Sequence, residues 1–303
     1  HRTVSTMPTL IRITTRIDVA NYREWNVSHA HEDDSAKPET SRLYAAEERL
    51  VEQEMLFLGG MHTIMVLWEV AKFYDSLQYD KLEQACEKQE YGHKRTALTF
   101  VIHASPRVLK IGQAVGELTR SMGRSILAGC QKSQTIARAY TNKAVNKLRA
   151  SFGVGDNGNT TTNGMRVYQH VDDLTQMMWH SNEDILATTA ARSVYCGIKQ
   201  TRTMEGGISD KTVILPPGAP ANAVQQTFKD EGIRVEIVKH AVDVGVDTTA
   251  GISRNPRKLK ARANAGKLKA KRNELLTKKV KKTAVLGRTG VAPTHNYGNI
   301  AMG

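Results

Sequence analysis

The chain has 303 residues, enough for one large or two ordinary domains with a substantial buried core. A hydrophobic fraction of 40% and a mean hydropathy of −0.42 indicate a soluble globular protein, and no run approaches about 18 consecutive apolar residues, which argues against a membrane span. The three widely separated cysteines, Cys86, Cys130 and Cys196, argue against a disulfide framework or a paired-cysteine zinc site. They predict a reducing, intracellular location, nuclear or cytoplasmic.

Most of the net charge of +13 lies in one segment near the end of the chain. Between Ile252 and Lys282, thirteen lysines and arginines stand against the single acid Glu274, so the rest of the chain is close to neutral. Such a segment suits the phosphate backbone of a nucleic acid, because this binding draws on counterion release and needs no base reading. A solvated tail explains the segment equally well when it is taken alone.

The first half of the chain predicts alternating helices and strands. The acidic stretch "HEDDSAKPET" predicts a loop, and the spacing of apolar residues predicts a helix from Leu43 to Phe57. After a Gly-Gly break, β-branched and apolar residues predict a buried strand from Thr63 to Val70. "DSLQYDKLEQACEKQ" predicts a helix capped by Asp75 or Ser76, and "ALTFVIHA" predicts another strand.

The second half begins with a long predicted helix, "CQKSQTIARAYTNKAVNKLRASF", and a Gly/Asn-rich break. A strand–turn–strand unit follows at Arg166 to Gln176, then a helix from Ser181 to Val194 and a strand in "KTVILPPG". "GIRVEIVKHAVDVGVDT" predicts two short strands, and a last helix begins with Ser253 as its cap and Pro256 in its first turn. This order predicts an α+β fold with helices on one face of an antiparallel sheet.

Two acidic features of the sequence are candidates for chemistry. Asp172 and Asp173 lie together in the predicted hairpin turn, although aspartate is also a common turn residue. Glu69 lies within the apolar run "IMVLWEV", where a buried carboxylate is costly unless it finds a partner or a metal. Two-metal nucleotidyl transfer uses carboxylates of this kind from neighbouring strands, because Mg²⁺ prefers oxygen ligands. The "HAH" stretch from His29 to His31 predicts a solvent loop rather than a metal site.

Five stretches, in the family's order, resemble motifs of reverse transcriptases. "LWEVAKFYDSLQYDKL" resembles the first catalytic motif of the polymerase palm, and "GRSILAGCQKSQTIARAY" resembles the loop and helix beneath the template and the nascent pair. "YQHVDDL" is similar to the Tyr-x-Asp-Asp hairpin, "GGISDKTVIL" to the Gly-x-x-Ile/Leu-Ser-x-x-Lys-Thr element, and "AVDVGVDTTAG" to the strand that grips the primer. The stretches resemble non-long-terminal-repeat and group II intron-like enzymes more than retroviral ones.

The resemblance implies a polymerase-type palm with an antiparallel sheet backed by helices, partial fingers and a basic thumb-like helix. The implied boundaries are 1–60 for the fingers, 61–251 for the palm and 252–303 for the thumb-like helix and tail. In the thumb, basic residues on one side and Leu259, Leu268 and Leu275 on another would place the helix along a duplex backbone.

The same resemblance assigns roles to single residues. It implies that Asp172, Asp173 and Glu69 hold Mg²⁺ or Mn²⁺, and that Lys211 acts near the triphosphate as a proton donor to the pyrophosphate. The residues implied to bind substrate are Tyr74 beneath the incoming sugar, Arg2 at the triphosphate, and Arg124 and Gly129 in the template-side loop. Considered without the resemblance, Tyr74 is more simply a core aromatic and Lys211 an ordinary lysine at a strand edge.

Four positions depart from the family pattern: Glu69 and His170 replace an aspartate and a tyrosine, Ser125 replaces a glycine, and Thr3 replaces the proline after Arg2. The expected partners are an RNA template, a DNA primer and deoxynucleoside triphosphates. The first hypothesis is therefore an RNA-directed DNA polymerase. The second is a catalytically degenerate nucleic-acid-binding relic of such an enzyme, and the third is a basic RNA-binding protein whose motif matches are coincidental.

Overall fold

The computed structural model describes residues 9–38, 40–111, 113–119, 123–127, 130–152, 163–204, 207–243, 246–249 and 257–279. The helices are α1 Thr9–Ile17, α2 Val19–His29, α3 Arg42–Leu58, α4 Phe73–Ser76, α5 Tyr79–Lys88, α6 His93–Ala104, α7 Gln131–Ala150, α8 Glu183–Thr203, α9 Ala219–Asp230 and α10 Arg257–Lys279. The strands are β1 His62–Ala71, β2 Arg107–Ile111, β3 Ala114–Thr119, β4 Asn163–His170, β5 Asp173–His180, β6 Gly207–Ile208, β7 Val213–Leu215, β8 Glu236–Ile237, β9 His240–Asp243 and β10 Val246–Thr249. None of the described helices is long and apolar enough to cross a membrane.

The central sheet has the strand order β4-β5-β1-β7-β8, with β6 pairing the end of β1. Its pairs are antiparallel except β7 and β8, which are parallel. The α+β class is as predicted, but the purely antiparallel sheet is not. The exception arises because α9 connects β7 to β8, and a helical crossover returns the chain in its starting direction.

Strand β1 is apolar on both faces, and this explains how the sheet is covered. Ile64, Val66 and Trp68 point to one side, where they pack with residues of α8 and α9 such as Val194 and Phe228. At Gly197 of α8 a Cβ atom would come within 2.8 Å of the Trp68 indole, so a glycine is needed for this close approach. The face of the sheet that carries Trp68 is thus covered by helices.

The opposite face of the sheet is covered as well, so the prediction of helices on one face only is wrong. Met65 of β1 and Met177 of β5 are buried on this side, in a cluster joined by Leu56 of α3 and Ala241 of β9. Because alternate residues of a strand point to opposite faces, an apolar run such as that of β1 demands cover on both.

Several local predictions need correction. "ALTFVIHA" belongs to helix α6, where Thr99, Ile102 and His103 are buried at helical spacing, so its β-branched content is misleading. Asp75 and Ser76 lie in the short helix α4, while α5 starts after Gln78 without a side-chain cap. The "GIRVEIVKHAVDVGVDT" stretch contains parts of three strands, β8, β9 and β10, rather than two. The predicted helix cap at Ser253 and the residue Pro256 lie outside the described residues.

Candidate active site

The two predicted halves of the acidic site lie next to each other. Strands β1 and β5 pair in a register that makes Glu69 and Asp173 direct cross-strand partners. Directly opposed residues point to the same face, with Cβ atoms about 4.5–5.5 Å apart. His170 of β4 is in turn paired with Asp173, so His170, Asp173 and Glu69 form one row across three strands. Asp172 is the second residue of the two-residue turn between β4 and β5, and it immediately precedes Asp173.

The turn that carries Asp172 has an unusual backbone. Its first residue, Val171, has a φ of 61°, in the left-handed region that β-branched residues rarely adopt. The buried Gln169 holds it there, because its side-chain amide donates to the Val171 carbonyl at 3.0 Å and to Thr141 Oγ1 at 2.9 Å. A strained residue persists only where its surroundings hold it, and here Thr141 of α7 and Gln169 of β4 do so.

The predicted acidic loop also packs against this hairpin. Ser35 donates its backbone N–H to the Gln169 carbonyl at 2.9 Å, and Gln169 donates to the Asp33 carbonyl at 3.1 Å. Ser35 Oγ lies 3.0 Å from Nδ1 of His170. The loop therefore extends the edge of the sheet beside the acids, a role that its acidic composition does not indicate.

A buried ion pair anchors that loop to the long helix behind the sheet. Asp34 and Arg138 of α7 are each 2% exposed, and Arg138 Nε donates to Asp34 Oδ2 at 2.7 Å. Arg138 also donates to Asn26, and Asp34 Oδ1 accepts from the Ala36 N–H at 2.8 Å. Sequence reasoning missed these residues, because their separation in the sequence gives no sign that they meet.

Lys211 and Glu69, both predicted site residues, form an ion pair with Nζ and Oε1 3.2 Å apart. The segment before β7 wraps around the end of β1, because Ser209 donates its N–H to the Glu69 carbonyl at 2.8 Å. The Glu69 N–H in turn donates to Thr212 Oγ1 at 3.1 Å. The structure therefore brings together Glu69, Asp173 and Lys211, from three separate sequence motifs.

Tyr74 and Arg124 lie in a second group, near the start of α5. The Tyr74 carbonyl accepts the Ile126 N–H at 2.9 Å, and Arg124 forms an isolated antiparallel bridge with Gln78. Ser125, which stands where the motif it resembles has a glycine, has a φ of 81°, in the region that favours glycine. The predicted substrate residues Arg2 and Gly129 lie outside the described residues.

Polar side chains continue from the acids along the same face of the sheet. Tyr168 of β4 donates its hydroxyl to Glu52 of α3, and Arg166 Nη1 lies 3.1 Å from the same carboxylate. Burial and the Glu52 charge raise the pKa of Tyr168, so its hydroxyl remains a donor at neutral pH. Arg49 of α3 stacks over the Tyr168 ring and pairs with Asp243 at 2.8 Å.

The acids fit a divalent cation only in part. Mg²⁺ is often held by one or two carboxylates, with substrate phosphates and water completing its shell, and Asp172, Asp173 and Glu69 offer such oxygens. Across the described ranges, however, no group of three or more His, Cys, Asp or Glu side chains is arranged to hold a metal ion. The carboxylate oxygens are suitable ligands for Mg²⁺, but the described side chains do not form a set of three ligands around one point.

Comparisons with known proteins identify the fold. No family model matches the chain, and no curated protein matches it. Among solved structures, apo telomerase from Candida tropicalis matches with a TM-score of 0.51 at 12% identity, over 83% of this chain and 41% of that one. The fold is reverse-transcriptase-like.

Two further Candida tropicalis telomerase structures match less well. The apo enzyme truncated from its C-terminal domain gives a TM-score of 0.48 at 14% identity, over 80% of this chain and 44% of that one. The complex with a TWJ fragment of telomeric RNA gives 0.49 at 13% identity, over 80% and 36%. The chain thus spans less than half the length of these structures, and the reverse-transcriptase-like fold rests on the match at 0.51.

Proposed function

We propose that this chain is an RNA-directed DNA polymerase-like protein that adds deoxynucleotides to a primer end. The proposed site consists of the paired acids Glu69 and Asp173 and the adjacent Asp172. One observation carries the proposal: Glu69 and Asp173, predicted from two motifs about a hundred residues apart, are cross-strand partners. The reverse-transcriptase-like fold supports it. An RNA template, a DNA primer and deoxynucleoside triphosphates are the proposed partners.

The chain's own residues supply distinct parts of this chemistry. Asp172, Asp173 and Glu69 would hold Mg²⁺ or Mn²⁺, which when bound neutralises phosphate charge and stabilises the attacking and leaving oxygens. Lys211 places its Nζ 3.2 Å from Oε1 of Glu69 and is the proposed proton donor to the pyrophosphate leaving group. Tyr74 is proposed to lie against the incoming sugar, while Arg2, Arg124 and Gly129 belong to the proposed substrate-binding set.

Helix α10 is the proposed contact with the primer–template duplex. Ten of its 23 residues are lysine or arginine, against the single acid Glu274. Leu268 and Leu275 are more than half exposed, so these two leucines of the helix are not buried in a core.

A second candidate function, a nucleic-acid-binding relic without catalysis, draws on a different observation. Glu69 is one methylene longer than the family's aspartate, and its carboxylate is paired with Lys211 rather than left to other ligands. Misplacement of a reacting group by about 1 Å can cost about a hundredfold in rate. A binding protein would keep the fold and the basic helix without needing these acids aligned.

Primer extension separates the two functions. The assay uses an RNA template with a DNA primer, and Mg²⁺ or Mn²⁺, on the wild-type chain and on Glu69→Asp. Incorporation by the wild type supports the polymerase, and incorporation by Glu69→Asp alone indicates a damaged polymerase. If neither protein extends the primer while both bind the duplex, the binding relic is the correct function.

A further inference from the structure

A groove lined by lysines lies between helices α5, α7 and α8. It encloses about 460 Å³, and we define the lysine groove by Lys81 and Lys88 of α5 and Lys143 and Lys147 of α7. No carboxylate is among its described lining residues, whereas glutamine and asparagine side chains from all three helices line it. The cations Lys88, Lys143 and Lys147, with no carboxylate among the described lining residues, give this groove a positive potential.

The groove lies on the other side of the sheet from the candidate acids. Helices α7 and α8 pack on the face that carries Trp68, because a Cβ atom at Gly197 of α8 would contact both the Trp68 indole and Leu148 of α7. Glu69 is the next residue along β1 and points to the opposite face, because strand side chains alternate. A ligand in the lysine groove therefore does not occupy the acidic site.

Helix α5 separates its charges between two sides. Lys81 and Lys88 line the lysine groove, while its acids Asp80, Glu83 and Glu87 line a separate cavity of about 740 Å³ beside α6. Residues seven apart lie on one face of a helix, as the two lysines do. An anionic ligand would be attracted along one side of α5 and repelled along the other, which limits where it can bind.

We propose that the lysine groove binds the sugar–phosphate backbone of a single-stranded nucleic acid, irrespective of its sequence. Lysine ammonium groups act as point charges toward phosphates, and the amides of Gln84 and Asn146 add hydrogen-bond donors. The one aromatic residue among the described lining residues, Tyr140, is only 7% exposed, so it offers no open ring for base stacking. Contacts with the backbone alone carry no sequence information.

The composition of the groove favours nucleic acid over an acidic protein. Protein interfaces are depleted in lysine and enriched in arginine and exposed aromatic residues, and the described lining of the groove shows the reverse. The volume of the groove, about 460 Å³, lies in the range of small-molecule pockets and suits a short stretch of one strand rather than a duplex. A single strand fits, and it can be a different stretch from the one at the acids. The inference holds whether or not the chain is a polymerase.

The test is fluorescence anisotropy with a uridine RNA oligomer and a thymidine DNA oligomer over a range of salt concentrations. The groove variant is Lys88→Gln/Lys143→Gln/Lys147→Gln. The control variant, Lys94→Gln/Lys229→Gln/Lys239→Gln, removes the same charge from exposed lysines outside the groove. Both are compared with wild type after their circular dichroism and melting curves are shown to agree.

We expect the groove variant to lose at least about tenfold in affinity at low salt, with a log–log salt slope smaller by about 2, because each contact with a single strand contributes about 0.7. The control variant should keep the wild-type slope. A stronger loss of affinity for the RNA oligomer than for the DNA oligomer identifies RNA as the ligand. Equal losses of affinity mean that the groove binds single-stranded RNA and DNA alike. Identical slopes for the groove and control variants would overturn the proposal, as would polyglutamate binding as tightly as the oligomers.

Discussion

Glu69 at the end of β1 and Asp173 at the start of β5 are direct partners across an antiparallel pair, on one face of the sheet. The register is fixed over the whole strand, because a shift of one residue would move the buried Met65 and Met177 to the wrong face. The positions of the two acids thus follow from the packing of the sheet. This geometry is the basis of the polymerase proposal.

The ion pair between Arg138 and Asp34 should be important for stability. Arg138→Met leaves a buried carboxylate without its cation, and we expect a loss of about 3–5 kcal/mol in the free energy of unfolding, measured with urea. The matched control is Arg202→Met, which breaks the pair between the exposed Arg202 and the partly buried Glu231 and should cost less than about 1 kcal/mol. Equal losses of unfolding free energy in the two variants would show that burial does not determine how much the Arg138–Asp34 pair contributes to stability.

Gly197 should be intolerant of a side chain. A Cβ atom there would lie 2.8 Å from Trp68 and 3.3 Å from Leu148, so Gly197→Ala should lower the free energy of unfolding by about 1–3 kcal/mol. Gly207→Ala is the control, because its nearest neighbour would be Ala71 Cβ at 3.8 Å, an ordinary contact. A smaller effect at Gly197 than at Gly207 would mean that α8 moves away from β1 at little cost.

His103 should make the protein sensitive to acid. Burial, together with the nearby charges of Arg107 and Lys132, lowers the pKa of His103 to about 4, from 6.5 for an unperturbed histidine. Between these values the unfolded chain binds a proton that the folded chain does not, so stability is full above pH 6.5 and falls as the pH drops toward 4. The contribution of this group is about 3 kcal/mol across that window.

Urea unfolding of the wild type and of His103→Gln at several pH values measures this effect. Glutamine can still accept the Leu127 N–H that Nδ1 of His103 accepts at 3.0 Å, but it does not titrate. The variant should lose less stability than the wild type between pH 6.5 and 4. Parallel pH profiles would show that another group is responsible for the acid sensitivity.

Helix α10 should supply much of the affinity for a primer–template duplex. Replacing Lys267, Lys269, Lys271 and Arg272 with glutamine should reduce the log–log salt slope of duplex binding by about 3.6, since each of four phosphate contacts contributes about 0.9. The control variant Lys94→Gln/Lys229→Gln/Lys239→Gln should leave the slope as it is. A slope unaffected by the α10 substitutions would remove this helix from the duplex interface.

Much of the fold could be predicted from local patterns, and its tertiary details could not. The alternating and apolar runs of β1 and of the hairpin predicted these strands to within a few residues, and motif order predicted that Glu69 and Asp172-Asp173 would meet. The sequence pattern predicts a strand where α6 lies, because β-branched residues also occur on buried helix faces. The parallel β7–β8 pair depends on a crossover that strand patterns do not reveal.

The supporting residues of the site were beyond sequence reasoning for a related reason. Gln169 is an ordinary polar residue in a strand pattern, yet its amide holds the strained Val171 carbonyl. Asp34 and Arg138 are 104 residues apart, and only the folded chain shows that their charges are buried together. Glutamine and charged residues occur mostly on surfaces, so a single sequence gives no reason to expect them inside.

The most direct test of the site formed by Glu69, Asp172 and Asp173 is primer extension by Asp172→Asn. The control is Asp230→Asn, at an exposed position at the end of α9. Asparagine keeps the size of the side chain and the turn but removes the charge, so duplex binding should be unchanged in both variants. We expect Asp172→Asn to lower incorporation at least about a hundredfold, while Asp230→Asn matches the wild type. Incorporation by Asp172→Asn at the wild-type rate would contradict this expectation.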